Sequence, residues 1–175
     1  TNGDYASAFG FCAEAQFCCS TAVGYCADVT SGYTNSTLYT GVGASAFGFC
    51  VSACGCESSA VGYCTKVSGT GNLASAFGYK SDAAGCTSTA IGACILACGC
   101  ESSAVGYKTC ATHDRTSSGG YVSQATGQFS TSWGYCAVAS GVLSVAVGNQ
   151  TLASGVNSTA LGQYAKARIG CTTNI

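Results

Sequence analysis

From Gly78 to Gly162 a glycine closes every fourteenth residue, at Gly78, Gly92, Gly106, Gly120, Gly134, Gly148 and Gly162. A period this strict leaves few folds open, because each unit must meet its neighbour as the previous unit did. Upstream, Gly10, Gly24, Gly48 and Gly62 keep the same register apart from two insertions. Ten extra residues fall within Val29–Gly43, VTSGYTNSTLYTGVG, and two within Ser68–Leu73, SGTGNL. Both read as surface loops or turns. The chain is therefore expected to be one repeat domain over 1–175, with an inserted loop near 29–43. An irregular coil is expected near 111–128, where Ser118-Gly119-Gly120 replaces the usual ending.

Most of these glycines close a phrase of the form S-x-A-Φ-G or its variant ASAFG, as in STAVG at Ser20–Gly24, STAIG at Ser88–Gly92 and STALG at Ser158–Gly162. The eleven residues ACGCESSAVGY occur identically at Ala53–Tyr63 and Ala97–Tyr107. Five residues after the glycine stands a small apolar residue (Ala15, Val29, Ala53, Val67, Ala83), and seven after it usually another glycine (Gly55, Gly85, Gly99, Gly127). The coil thus divides into two halves, each a short strand with glycine at its corner. A helix is excluded, since glycine costs about 1 kcal/mol at each interior helical position.

Alternation along the first strand predicts an inward column of Phe9, Val23, Phe47, Val61, Phe77, Ile91, Val105, Trp133, Val147 and Leu161. The Ser/Thr column two residues earlier, with Ser7, Thr21, Thr89 and Thr131, shares that face. The alanines between them form a second, uniformly small face. Glu14, Asp28, Lys66, Asp82 and Lys166 are expected to point outward from the second strand, and Phe11, Tyr25, Phe49, Tyr63, Tyr79, Tyr107, Tyr121 and Tyr135 to stack as a corner ladder.

Only 7% of residues are charged, against about 25% in ordinary domains, while 47% are apolar, so there is ample material to bury. A net charge of −1 supplies no attraction for nucleic acid. No apolar run reaches the roughly 18 residues of a membrane span. The chain opens at Thr1, which reads as a processed or excised piece. No cofactor is expected, and the one histidine, His113, lacks a partner nucleophile, so no enzyme is expected.

Fifteen cysteines point to an oxidising compartment. Coils about 4.8 Å apart bring same-column cysteines within the Cα range of a disulfide, which makes candidates of Cys12/Cys26, Cys50/Cys64 and Cys86/Cys100. Cys54 and Cys98, in the C-G-C pairs, are candidates for bridges between chains; C-x-C is a weak metal signal. Tyr33, Asn35 and Tyr39 in the inserted loop, with His113 and Arg115 in ATHDRTSS, form the candidate contact surface. Asn35, Asn149 and Asn157 stand in N-x-S/T sequons and are candidate glycosylation sites.

The S-x-A-Φ-G phrase at this spacing, with its second Ala-x-Gly half, resembles the heads of YadA-like trimeric autotransporter adhesins over nearly the whole chain. The resemblance implies an all-β fold, a left-handed parallel β-roll with three chains side by side, and attachment of bacteria to surfaces, host matrix or one another from the cell exterior. The chain departs from that family in its Ser/Thr before the alanine and in its cysteines. The expected function is an extracellular structural or adhesive fibre, a homotrimer whose uncapped ends extend head to tail into a filament. The alternatives are an ice-binding solenoid, motivated by the Ser/Thr column, and a viral or phage fibre.

Overall fold

The computed structural model describes residues 3–30, 42–68 and 72–175. Over these the chain winds as a parallel β-solenoid in which strands such as Thr89–Ala93 alternate with two-residue strands such as Leu96–Ala97. Every coil stacks on the next with its columns aligned, fourteen residues apart except across the two insertions, so Ala90 lies opposite Ala104 and Gly92 opposite Gly106. The long strands form one sheet of twelve, the short strands a facing sheet of eleven. No strand in either sheet pairs antiparallel.

Four residues of each coil point inward. In the coil closed by Gly92 they are Ser88, Ala90, Ile95 and Ala97, all essentially inaccessible. The interior is thus mostly alanine, and the sheets lie close together. At the corner a hydroxyl replaces the apolar group: Ser58 Oγ donates to the Gly55 carbonyl at 2.6 Å, Thr116 Oγ1 to that of His113 at 2.6 Å, and Ser158 Oγ to that of Gly155 at 2.7 Å. Each of these pairs a buried hydroxyl with a turn carbonyl, and at Gly155 the Ser158 N–H donates to the same oxygen.

The large apolar column points the other way from the sequence expectation. Phe47, Ile91 and Trp133 are about 40% exposed (38%, 42% and 40%), whereas the alanines beside them are fully buried. The Ser/Thr column shares their outward face, with Thr21, Thr89 and Thr131 half-buried. Alternation separates two faces but does not say which is inside. The short coil decides that, because its lumen is filled by alanine and serine with an occasional valine, threonine or, at Ile95, isoleucine.

Glycine is required at the closing corner for two reasons. Gly92 has φ 131°, and a Cβ there would lie 2.0 Å from the Gly106 carbonyl oxygen of the next coil. At the second corner space alone demands it: a Cβ on Gly85 would lie 2.0 Å from the Gly99 oxygen. The left-handed turns that side chains do occupy fall two and nine residues after the closing glycine, at positions such as Cys26, Lys108, Val122, Arg115 and Phe129 (φ 51–59°). Such a conformation costs about 1–2 kcal/mol for a non-glycine residue. Stacking holds it in place, as where the Val122 N–H donates to the Tyr107 carbonyl at 2.8 Å.

The insertions do not break the stack. Val29 is core and pairs with Ala15, and Ala44 is core on the far side. The first insertion is therefore narrower than Val29–Gly43, and residues 31–41 lie outside the described residues. Thr21–Tyr25 pairs directly with Ser45–Phe49, and Ser59–Tyr63 with Ser75–Tyr79. The Gly120 coil also keeps its ladder, with Ser117–Tyr121 fully paired to both neighbours. Its departure lies in the side chains. A Cβ on Gly119 would meet the Trp133 ring at 2.3 Å, so glycine makes room for an indole whose Nε1–H donates to Ser117 Oγ at 3.1 Å. Beneath it Ser118, which stands where most other coils have alanine, shares a buried hydroxyl bond of 2.9 Å with Ser123.

Candidate functional site: the outer face of the long-strand sheet

The twelve-stranded sheet presents three columns outward: hydroxyls, large apolar side chains, and the aromatic residue that follows each closing glycine. The third is a stacked ladder, as its spacing predicts. Phe11, Tyr25, Phe49, Tyr63 and Tyr79 stack at centroid distances of 5.1, 4.9, 5.0 and 5.3 Å. Tyr107, Tyr121 and Tyr135 stack at 5.1 and 5.2 Å. Ala93 stands between the two runs. Isolated exposed apolar residues need no explanation, but a continuous face of them does.

Cysteines cluster beside this ladder, at the left-handed corner two residues after the glycine. Because the coils of Gly24 and Gly48 are direct neighbours, Cys12, Cys26, Cys50 and Cys64 form one unbroken column of four. Sequence reasoning pairs Cys12 with Cys26 and Cys50 with Cys64 but misses the Cys26–Cys50 contact, which becomes visible once the inserted loop is taken out of the register. Desolvation, then the Cys12 and Cys50 thiols, push the Cys26 thiol up. Cys18 is raised by its hydrogen-bonding neighbour Cys19, with the sulfurs 3.5 Å apart. Burial raises both Cys98 and Cys110, which lie near one another. Cys54 is buried beside Ser52, at 3.2 Å. Cys86 and Cys100 occupy one corner of adjacent coils, where the Glu101 N–H donates to the Cys86 carbonyl. Among the described residues no disulfide is formed, and no group of three or more His, Cys, Asp and Glu is placed to hold a metal ion.

Of the candidate contact residues, Tyr33, Asn35 and Tyr39 lie outside the described residues. His113 and Arg115 are exposed at the second corner. Arg115 Nε donates to Glu101 Oε2 at 2.9 Å, and its guanidinium lies 5.7 Å from the Phe129 ring centroid. Asp114 Oδ1 accepts the Cys100 N–H at 3.0 Å. These groups line a shallow groove of about 170 Å³ and answer one another across coils. Asn149 and Asn157 are both exposed.

Two outward carboxylates of the short-strand sheet sit in a poor environment. Asp28 and Asp82 each keep one buried oxygen without a partner. Desolvation raises both above the ordinary carboxylate range; Glu14 adds to it at Asp28, while a hydrogen bond from Thr30 opposes it there and Lys66 opposes it at Asp82. A carboxyl whose folded-state pKa is raised destabilises the fold fully above that pKa, and the penalty disappears as pH falls below the unfolded value. Asp28→Asn and Asp82→Asn are therefore expected to raise the melting temperature at neutral pH. They should also narrow the stabilisation that wild type gains on acidification toward about pH 4. Thermal melts by circular dichroism at both pH values check this, and a lower neutral-pH melting temperature in both variants would contradict it.

The family model of the YadA head domain repeat matches twice, over residues 70–93 and 139–165. These two stretches are similar to the YadA head repeat. Each matched stretch spans two closing glycines, Gly78 and Gly92 or Gly148 and Gly162, with the phrases before them, the part of the coil that builds the outer face. No curated protein matches the chain.

Proposed function

We propose that this YadA-like roll is the structural or adhesive part of an extracellular fibre, in which the outer apolar face packs against further copies of the chain. The observation that carries this reading is the reversal of the coil: alanine fills the interior and Phe47, Phe77, Ile91 and Trp133 are left outside. A soluble monomer gains nothing by displaying such a column, whereas three rolls side by side would bury it as a shared core. YadA-type heads are left-handed and trimeric, and the same geometry is assigned here. Attachment to host matrix or cell surfaces then falls to the corners and loops that remain outside. The cysteine columns would reinforce coils or link chains in an oxidising compartment.

The outward Ser/Thr column favours one second reading, an ice-binding solenoid, because its hydroxyls are regularly spaced at the surface. Phenylalanine and tryptophan beside them make a poor match to an ice lattice, and the fibre reading takes precedence.

The deciding experiment is native mass with and without reductant, alongside thermal hysteresis. The expected species is about three times the 17.2 kDa chain in native solution, with chains joined by disulfides that separate in denaturant only after reduction. A monomer under both conditions removes the trimer, and thermal hysteresis in that monomer transfers the face to ice.

A further inference from the structure

The break in the aromatic ladder at Ala93 is one ring deep and one coil high. Ala93 pairs with Tyr79 on one side and Tyr107 on the other, so the ladder lacks a side chain while the backbone rung is intact. Two strand spacings place the Tyr79 and Tyr107 rings about 10 Å apart. A flat ring midway would stand about 5 Å from each, inside the range of roughly 4.5–7 Å at which aromatic pairs attract. Tyr63 already covers one face of Tyr79, and Tyr121 covers one face of Tyr107. The two remaining faces look toward each other over Ala93.

The charge around this gap is placed as specifically as the rings. In the column two residues after the closing glycine, lysine stands only at Lys80 and Lys108, on the two coils that carry the terminal rings. Their Nζ atoms lie 5.2 and 5.3 Å from the Tyr79 and Tyr107 ring centroids. Among the described residues the ion pair present is Arg115–Glu101, so no carboxylate neutralises either lysine. Cys94 lies between them at the corner, half-buried.

The geometry points to a binding slot for a planar aromatic anion, an aromatic carboxylate or sulfonate whose ring completes the ladder between Tyr79 and Tyr107 while its acid group meets Lys80 and Lys108. A cationic ring would stack equally well but face like charge, and a neutral ring would forgo the ammonium groups. The slot is formed by one chain, and its use in the assembly requires that the aromatic column stay open at the edge of the packed face.

Titrating the whole chain, in the assembly it forms, with naphthalene-2-sulfonate and with neutral 2-naphthol tests this. Wild type is expected to bind the sulfonate saturably at one site per chain, more tightly than the naphthol. Ala93→Tyr, which supplies the missing ring, should weaken sulfonate binding about tenfold or more, the size of a lost stacking contact. Ala93→Gln should do the same, and glutamine is already tolerated in this column at Gln163. Lys80→Gln with Lys108→Gln should weaken the sulfonate about fivefold and leave the naphthol unchanged. Binding that survives both Ala93 substitutions, that ignores both lysines, or that never saturates would overturn the slot.

Discussion

Gly92→Ala is expected to be among the most damaging single changes the chain can suffer, although it adds one methyl group. The new Cβ would lie 2.0 Å from the Gly106 oxygen and 2.9 Å from its carbonyl carbon, and both are ladder backbone that cannot turn aside. The backbone also holds φ 131°, outside the regions open to a residue with a side chain. Strained conformations of this kind cost about 1–3 kcal/mol before any clash is counted, so a loss above about 4 kcal/mol is expected, or about 10 °C in melting temperature at this chain length. Because each coil touches only its neighbours, the damage should also localise and open the stack to protease near residues 87–107 before the ends. Ile91→Ala in the same strand is the control for the single roll, since its side chain lies outside the coil's interior. A Gly92→Ala melting temperature within a few degrees of that control would show that the stack can shift its spacing.

The same contrast explains how far the sequence could be read. The fourteen-residue glycine period, the paired halves and the stacked tyrosines all follow from backbone rules that act residue by residue, and the strands fall where those rules put them: Thr89–Ala93 and Leu96–Ala97 are such a pair. Which side of Thr89–Ala93 is interior does not follow from local rules. Ile91 is the natural core residue by hydrophobicity, and it is outside because the opposite sheet stands too close to admit it. The spacing of the two sheets is a property of the whole coil, set by how few residues each turn has. The left-handed residues were equally hidden. Cys26, Lys108, Val122 and Phe129 share no side-chain chemistry, and only the stacked backbone imposes their common geometry. The cysteine column was concealed for a simpler reason: ten inserted residues separate Cys26 from Cys50 in sequence while the fold keeps them adjacent.

Replacing Phe47, Phe77 and Ile91 together by serine is expected to separate the chains and leave the coil intact. All three are about 40% exposed or slightly less (38%, 37% and 42%), so the roll itself depends on them only in part. Serine already occupies the neighbouring outward column, at Ser45, Ser59 and Ser75, so the strands accept it on this face. Covering the exposed part of one such side chain contributes roughly 1 kcal/mol. Three substitutions in each of three chains would then remove about 9 kcal/mol from the assembly, a weakening of more than about a million-fold. In reductant, which removes any disulfide between chains, sedimentation should report single chains while circular dichroism keeps its β signal and its melting transition. The reverse substitution, Ala90→Leu, pushes a large side chain into the sealed interior and should abolish that transition, since overfilling a packed core costs about 1–3 kcal/mol or more even where it can relax. If the triple-serine chain kept the wild-type mass, the apolar face would not be what joins the copies; if it lost its β signal, the column would belong to the core after all. Mass and fold are thus two separate readouts of one face, and that face is where alanine inside the roll has moved the chain's hydrophobicity.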